Sequence, residues 1–340
     1  MKRVQGVAVL GAVTMGLAAC GGGSGSEGGG GGGGEGSLSV GYSSPIASQP
    51  GQGFVSDGLE AGAEDLGWEV QVYDANLQAS AQVSDVQTMI SQQKSAIGLW
   101  PLDAGALSGS FAQAQGAGIP VVAVNTEGDQ IDTTVWWETN RCGADSPYAR
   151  DAERFAAAKP GGQVIVMGGP AVPSIQANVA CFTEAAEAAG LTVLTQVDNT
   201  SDSSSGAATL ASDVLTRFPE VDAFWTYNDS SALGISSSVI AAGLPVQSGD
   251  TEGIMIVGTN GDAEAIDAVR QGRITGTWDT DPYATGLAVI RAMRDVVENG
   301  SADPLVVEAV FYDAGNIDDY VAPTERDYSV DDIPLVEATG

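Results

Sequence analysis

Clusters of amides, hydroxyls and aromatics recur wherever a short apolar run ends: Trp100-Pro101-Leu102-Asp103, Val124-Asn125-Thr126, Thr226-Tyr227-Asn228-Asp229, Gly258-Thr259-Asn260-Gly261 and Trp278-Asp279-Thr280-Asp281-Pro282. An amide donates and accepts at once, as a sugar hydroxyl does, and an indole face covers the apolar C–H face of a ring. The set suits a small neutral polyhydroxy ligand better than an ion. Each member also has a plainer use. Asn228 and Asn260 stand where a helix N-cap is expected. Trp100, Trp278 and the pair Trp136-Trp137 suit an apolar core, since one of two neighbouring strand residues must face inward. Gly168-Gly169-Pro170 lacks the rest of a dinucleotide fingerprint and reads as a turn. Asp279 and Asp281 fall on one face of an extended segment, but two carboxylates and a proline fall short of a calcium ligand set. The chain has no histidine, which removes Ser-His-Asp and Cys-His catalysis and the commonest zinc ligand. No enzyme activity, metal or cofactor is expected.

The clusters need elements to hold them, and the hydrophobic spacing supplies these. Val55, Leu59, Ala63 and Leu66 recur at helical spacing before Gly67, and Trp68, Val70 and Val72 then alternate as a strand. The same exchange of helix and strand continues through Val121 to Val124. After a break it resumes at Val164 to Met167 and runs to Ile274 to Trp278, with a final helix carrying Leu287, Ile290 and Met293. Such alternation predicts parallel sheets flanked by helices, because each parallel crossover needs a covering element. The stretch Ala61 to Ala75 is echoed by Glu184 to Asn199, which points to a duplicated α/β lobe. Two such lobes facing each other enclose a cleft beyond the carboxyl ends of their strands.

The N-terminus carries different information. Lys2 and Arg3 precede an apolar run from Val7 to Leu17, and Leu17-Ala18-Ala19-Cys20 closes it. This is the pattern of a lipoprotein signal over 1–19 with Cys20 as the acylated residue. The run is shorter than the ~20 residues a spanning helix needs. The Gly-rich stretch 20–37 reads as a flexible tether. Everything after it is expected outside the cytoplasm, lipid-anchored to the bacterial cell membrane. There Cys142 and Cys181 form an even pair, predicted to be a disulfide. Thirteen Lys and Arg among 44 Asp and Glu give a net charge of −31. No basic patch exists for nucleic acid; the acidity reads as a solubilising surface.

The chain resembles the substrate-binding lipoproteins of ABC sugar transporters, the ribose/galactose-type periplasmic binding proteins with the type 1 fold. The landmarks are Asp57-Gly58 to Leu66-Gly67, Trp100-Pro101-Leu102-Asp103, Gly118-Ile119-Pro120-Val121-Val122, Phe218-Pro219-Glu220-Val221 leading to Tyr227-Asn228-Asp229, Leu233-Gly234, and Val257-Gly258-Thr259-Asn260-Gly261. The resemblance implies two Rossmann-like lobes, 38–140 plus 281–308 and 141–280 plus 309–340. It also implies a three-stranded hinge near Asn140, Asp279 and Phe311. Gln49 and Gln52 then flank Pro50 in the first ligand loop, where the family has Asn and paired aromatics. Asn125 and Thr126 fall where ribose-type members carry Asp-Arg, Asn178 where they carry Arg, and Asn260 replaces an Asp. Asn228 matches the family's Asn, and Thr280 sits where Gln is usual. Trp100 and Trp137 complete the candidate set. With the charged sugar-clamping groups replaced by amides, the ligand implied is a small neutral sugar, polyol or cyclitol. The partners implied are the subunits of an ABC permease, with the chain acting as a monomer. A sensory module presenting its closed form to a receptor or sensor kinase is the alternative.

Overall fold

A computed structural model describes residues 37–337 of the chain, so the signal segment, Cys20, nearly all of the tether and residues 338–340 lie outside the described residues. In chain order the first elements are β1 (Ser39–Ser44), α1 (Pro50–Asp65), β2 (Glu69–Asp74), α2 (Ala79–Ser91), β3 (Ile97–Leu99), α3 (Ala104–Gly116), β4 (Val121–Val124) and β5 (Thr133–Trp137). Then follow α4 (Pro147–Ala158), β6 (Gln163–Gly168), α5 (Pro173–Ala188), β7 (Thr192–Asp198), α6 (Ser204–Arg217), β8 (Ala223–Thr226), α7 (Asp229–Ala241), β9 (Met255–Asn260), α8 (Ala263–Arg270), β10 (Gly276–Asp279), α9 (Pro282–Asn299), β11 (Leu305–Val307) and β12 (Val310–Asp313).

The strands form two six-stranded sheets, ordered β11-β5-β4-β3-β1-β2 and β12-β10-β9-β8-β6-β7. The two orders match strand for strand, as the internal echo predicts. All neighbours are parallel except β12, which runs antiparallel to β10. Central strands such as β4 and β8 are buried along their whole length, as expected where helices cover both faces of a parallel sheet. The long α9 returns to the first sheet: Leu287, Ile290 and Met293 join Val40, Val55 and Leu59 in its core. Gly58 and Gly286 make that possible. A Cβ on Gly58 would collide with the Tyr283 carbonyl, and one on Gly286 with the Val55 carbonyl, so α1 and α9 meet backbone to backbone.

Two features depart from the sequence reading. The break before β6 contains α4, opened by Ser146, whose Oγ accepts the Ala149 N–H at 3.3 Å, and by Pro147 at the first helical position. Its Tyr148, Ala152 and Phe155 are buried against the second sheet. The C-terminal segment, expected with the second lobe over 309–340, divides instead. Ile317 and Tyr320 pack on the second sheet, whereas Tyr328, Val330, Ile333 and Leu335 pack on the first. Val336 N–H bonds to the Val306 carbonyl at 2.9 Å, and Glu308 N–H to the Pro334 carbonyl at 3.1 Å. The open edge of β11 takes the segment as a partner. The chain thus passes between the sheets after β5, after β10, between β11 and β12, and once more near Arg326.

Candidate functional site

The strand ends of both sheets converge on one cavity. From the first sheet it is lined by the α1 start with Gln49 and Gln52, by Trp100 and Leu102 after β3, and by Trp137 and Asn140 after β5. From the second come Val172, Ile175 and Asn178 of the α5 start, Asp202 after β7, Tyr227 and Asn228 after β8, and Thr259 and Asn260 of β9. Parallel strands send their carboxyl ends, and the N-termini of the following helices, to the same rim.

The indoles are fixed from opposite sides. Trp137 is buried and donates from Nε1 to Thr285 Oγ1 of α9 at 2.9 Å. Trp100 stands edge-on to it with ring centroids 4.8 Å apart, and its Nε1 reaches across to Ser174 Oγ of α5 at 3.1 Å. Buried Gln82 steadies the Trp100 loop, donating to the Trp100 carbonyl and accepting from Leu102 N–H, both at 2.8 Å. At the mouth, Ala75, Leu77 and Leu102 meet Val172 and Ile175. The two lobes therefore touch through polar and apolar contacts alike.

The amides differ in how far they are committed. Asn228 caps α7, its Oδ1 accepting Ser231 N–H at 2.9 Å, while Nδ2 donates to Asp202 Oδ1 at 2.7 Å. Its capping use is thus realised within the cavity wall. Asn260 is not the cap of α8; Asp262 holds that position, without a side-chain cap bond, and the Asn260 amide favours the charged form of the Asp262 carboxylate. Gln52 accepts weakly from Ser44 Oγ at 3.5 Å. Asn178 is half-buried on α5, at the cavity wall. Two members of the sequence set lie off the lining. Asn125 is buried, with a φ of 53°, and its Oδ1 accepts Trp137 N–H at 2.7 Å. Thr280 is fully buried beside the β10–α9 crossing. Asn125 Nδ2 and Thr280 Oγ1 both lack a hydrogen-bond partner among the described residues.

Asp202 is the residue the sequence hid. It sits in Ser201-Asp202-Ser203, a string that reads as loop and cap chemistry, and no residue spacing singles it out. Yet Gln49 Nε2 donates to its Oδ2 at 2.7 Å and to its carbonyl at 3.1 Å. Tyr227 donates its hydroxyl to Oδ1 as well.

Other candidates resolve into structural roles. Trp278 is buried and donates to Asp151 Oδ1 at 3.0 Å. Gly169 leaves room for the Tyr227 ring, which a Cβ would strike. Asp279 and Asp281 both pair with Arg326, Asp281 at 2.9 Å. Burial pushes the Asp279 carboxyl up to about 6 even though Arg326 pulls it down. Asp229, behind the cavity, is fully buried and raised well above the usual carboxylate range by that burial, with Asp262 adding to it. Cys142, just past β5, is disulfide-bonded to Cys181 on α5 with Cα atoms 5.5 Å apart, inside the range a disulfide spans. Among the described residues no group of His, Cys, Asp or Glu is arranged to hold a metal.

Paired α/β sheets of like strand order, with a cleft where their strand ends face, define the two-lobe type 1 binding-protein fold. The chain belongs to the periplasmic binding protein domain family, whose profile matches residues 40–301. The members of this family are binding proteins, not enzymes. The ribose import binding protein of Bacillus subtilis is 24% identical over 263 residues, 76% of this chain and 82% of that protein. The xylitol-binding protein of Mycolicibacterium smegmatis is 26% identical over 347 residues, 99% of this chain and 93% of that one. The structure of the Caulobacter myo-inositol binding protein bound to myo-inositol is 25% identical with a TM-score of 0.72, covering 83% of this chain and 95% of that chain.

Proposed function

We propose that this chain is the extracytoplasmic solute-binding component of an ABC importer and takes a small neutral polyhydroxy ligand between its two lobes. The observation that carries this is the convergence of Gln49, Gln52, Trp100, Trp137, Asn178, Asn228 and Asn260 from both sheets on one cavity. Amides from two sides offer paired donors and acceptors to hydroxyls, and the indoles offer apolar edges to a carbon skeleton. The relatives named for ribose, xylitol and myo-inositol bracket the same chemistry. Contacts from both lobes favour the closed form, since an open cleft offers only half of them. Cys20 would be acylated, and the Gly-rich stretch would tether the body to the membrane while the closed form docks on a permease.

The test is thermal unfolding of residues 37–340 with pentitols, hexitols, cyclitols, sugars, nucleosides and amino acids. At ~100 times the dissociation constant a native-state ligand adds about 2.7 kcal/mol, and a raised midpoint with one polyhydroxy class is expected. A rise with amino acids or nucleosides alone would overturn the ligand class while leaving the fold.

A further inference from the structure

The cleft is lined by one charged side chain and no cationic side chain to pair with it, among the described residues. Asp202 is the single charged side chain lining the cavity among the described residues. It takes part in none of the ion pairs found there. Its partners are neutral donors: Gln49 from the facing lobe, and Tyr227 and Asn228 from its own. The carboxylate therefore bridges the cleft through neutral hydrogen-bond donors alone.

Its position explains why a charge is kept there. The N-termini of α1, α5 and α7 line the cavity, and α6 begins two residues after Asp202. Each helix start carries a partial positive charge that favours an anion. A cleft ringed by such ends and stripped of Asp202 would attract a carboxylate or phosphate. Asp202, tied to the cap of α7 through Asn228, supplies that anion from the protein itself. The field also reaches the next acid: Asp262 is pushed up to about 6 by burial first, and then by Glu264, Asp279 and Asp202.

We propose that Asp202 sets the charge specificity of the cleft, so that neutral polyhydroxy ligands enter and their acid or phosphorylated counterparts are refused. This rests on the solute-binding reading and narrows it. Hydroxyl-bearing molecules are separated from their oxidised or phosphorylated forms by a fixed like charge rather than by shape.

The experiment compares each neutral ligand that binds with its acid counterpart, for example xylitol with xylonate, by calorimetry on the wild-type chain, Asp202→Asn and Asp202→Glu. The wild type is expected to bind the neutral member at least about tenfold more tightly, the scale of one unscreened like charge at this range. In Asp202→Asn that ratio should fall by about tenfold, whereas Asp202→Glu should retain it. A purely structural Asp202 would shift both affinities together and leave the ratio alone, which overturns the proposal. Should Asp202→Asn fold poorly, Asp202→Ser, which removes the carboxylate and keeps a hydrogen-bonding side chain, is the second variant: the ratio should fall in it as well, and an unaltered ratio overturns the charge role. Silence of the wild type toward every neutral polyol and sugar would overturn the ligand-class reading and this proposal with it. Neutral binding with an unaltered ratio overturns the selector alone.

Discussion

At the residue scale, similar amides do different work. Asn228 holds a helix end with one atom and Asp202 with the other; Asn178 has no side-chain hydrogen bond among the described residues and sits at the cavity wall on α5. Asn228→Ala removes an N-cap worth about 1 kcal/mol of stability together with a cleft contact. The unfolding midpoint and the ligand affinity should both drop. Asn178→Ala puts a better helix former inside α5, so stability should hold or rise while affinity falls by about 1–3 kcal/mol. Denaturant unfolding beside calorimetric titration separates the two, and equal stability loss in both variants would count against the assignment. Amides and indoles at strand ends were legible in the sequence because their chemistry is local. Asp202 was not, since its meaning comes from Gln49, separated from it by 153 positions and lying in the other lobe.

At the element scale, periodicity revealed the alternating helices and strands, and with them the parallel sheets. The α4 helix escaped although Tyr148, Ala152 and Phe155 keep helical spacing, because charged Asp151 shares their buried face, where it accepts from Trp225 and Trp278. A polar residue at a buried position masks the stripe that marks a helix. Gly58 and Gly286 were likewise visible as residues but not as a joint, because a close approach is a property of two helices. Gly286→Ala should lower stability by at least about 1–3 kcal/mol, the usual scale for forcing atoms into a packed interface. The clash is with backbone of α1, which has no rotamer to yield. Urea unfolding measures this, and a loss below ~0.5 kcal/mol would show that α1 and α9 can slide apart freely.

At the scale of the whole molecule, the C-terminal segment joins the two lobes once more, beside the β10–α9 crossing. Its sequence, with apolar residues scattered between Asp327, Asp331 and Asp332, has neither helical nor strand period, so nothing local announced where it would lie. Arg326 anchors it. The guanidinium is 7% exposed and faces Asp279 and Asp281, themselves 4% and 8% exposed. Taking away the cation leaves two buried carboxylates unpaired, a loss of about 3–5 kcal/mol for a broken buried pair. The sign with pH follows from Asp279, whose folded carboxyl is held at about 6 against roughly 3.9 in an unfolded chain. Its folded form takes up a proton first, so its contribution is fully present below about pH 4 and fades as pH rises through about 6. Asp151, raised by burial to about 6, and Asp262, raised to the same level, add in the same direction, as does relief of a net charge of −31. The wild-type unfolding midpoint should therefore rise between pH 7 and pH 5. In Arg326→Ala the folded Asp279 loses the group that pulls its pKa down, so the damage should be largest at pH 8 and shrink toward pH 5, where protonation removes the unpaired charge. Calorimetric scans of both proteins across that range measure it. A loss that is constant with pH would mean that Arg326 holds the segment by packing and hydrogen bonds, and that the charge of Asp279 is balanced elsewhere.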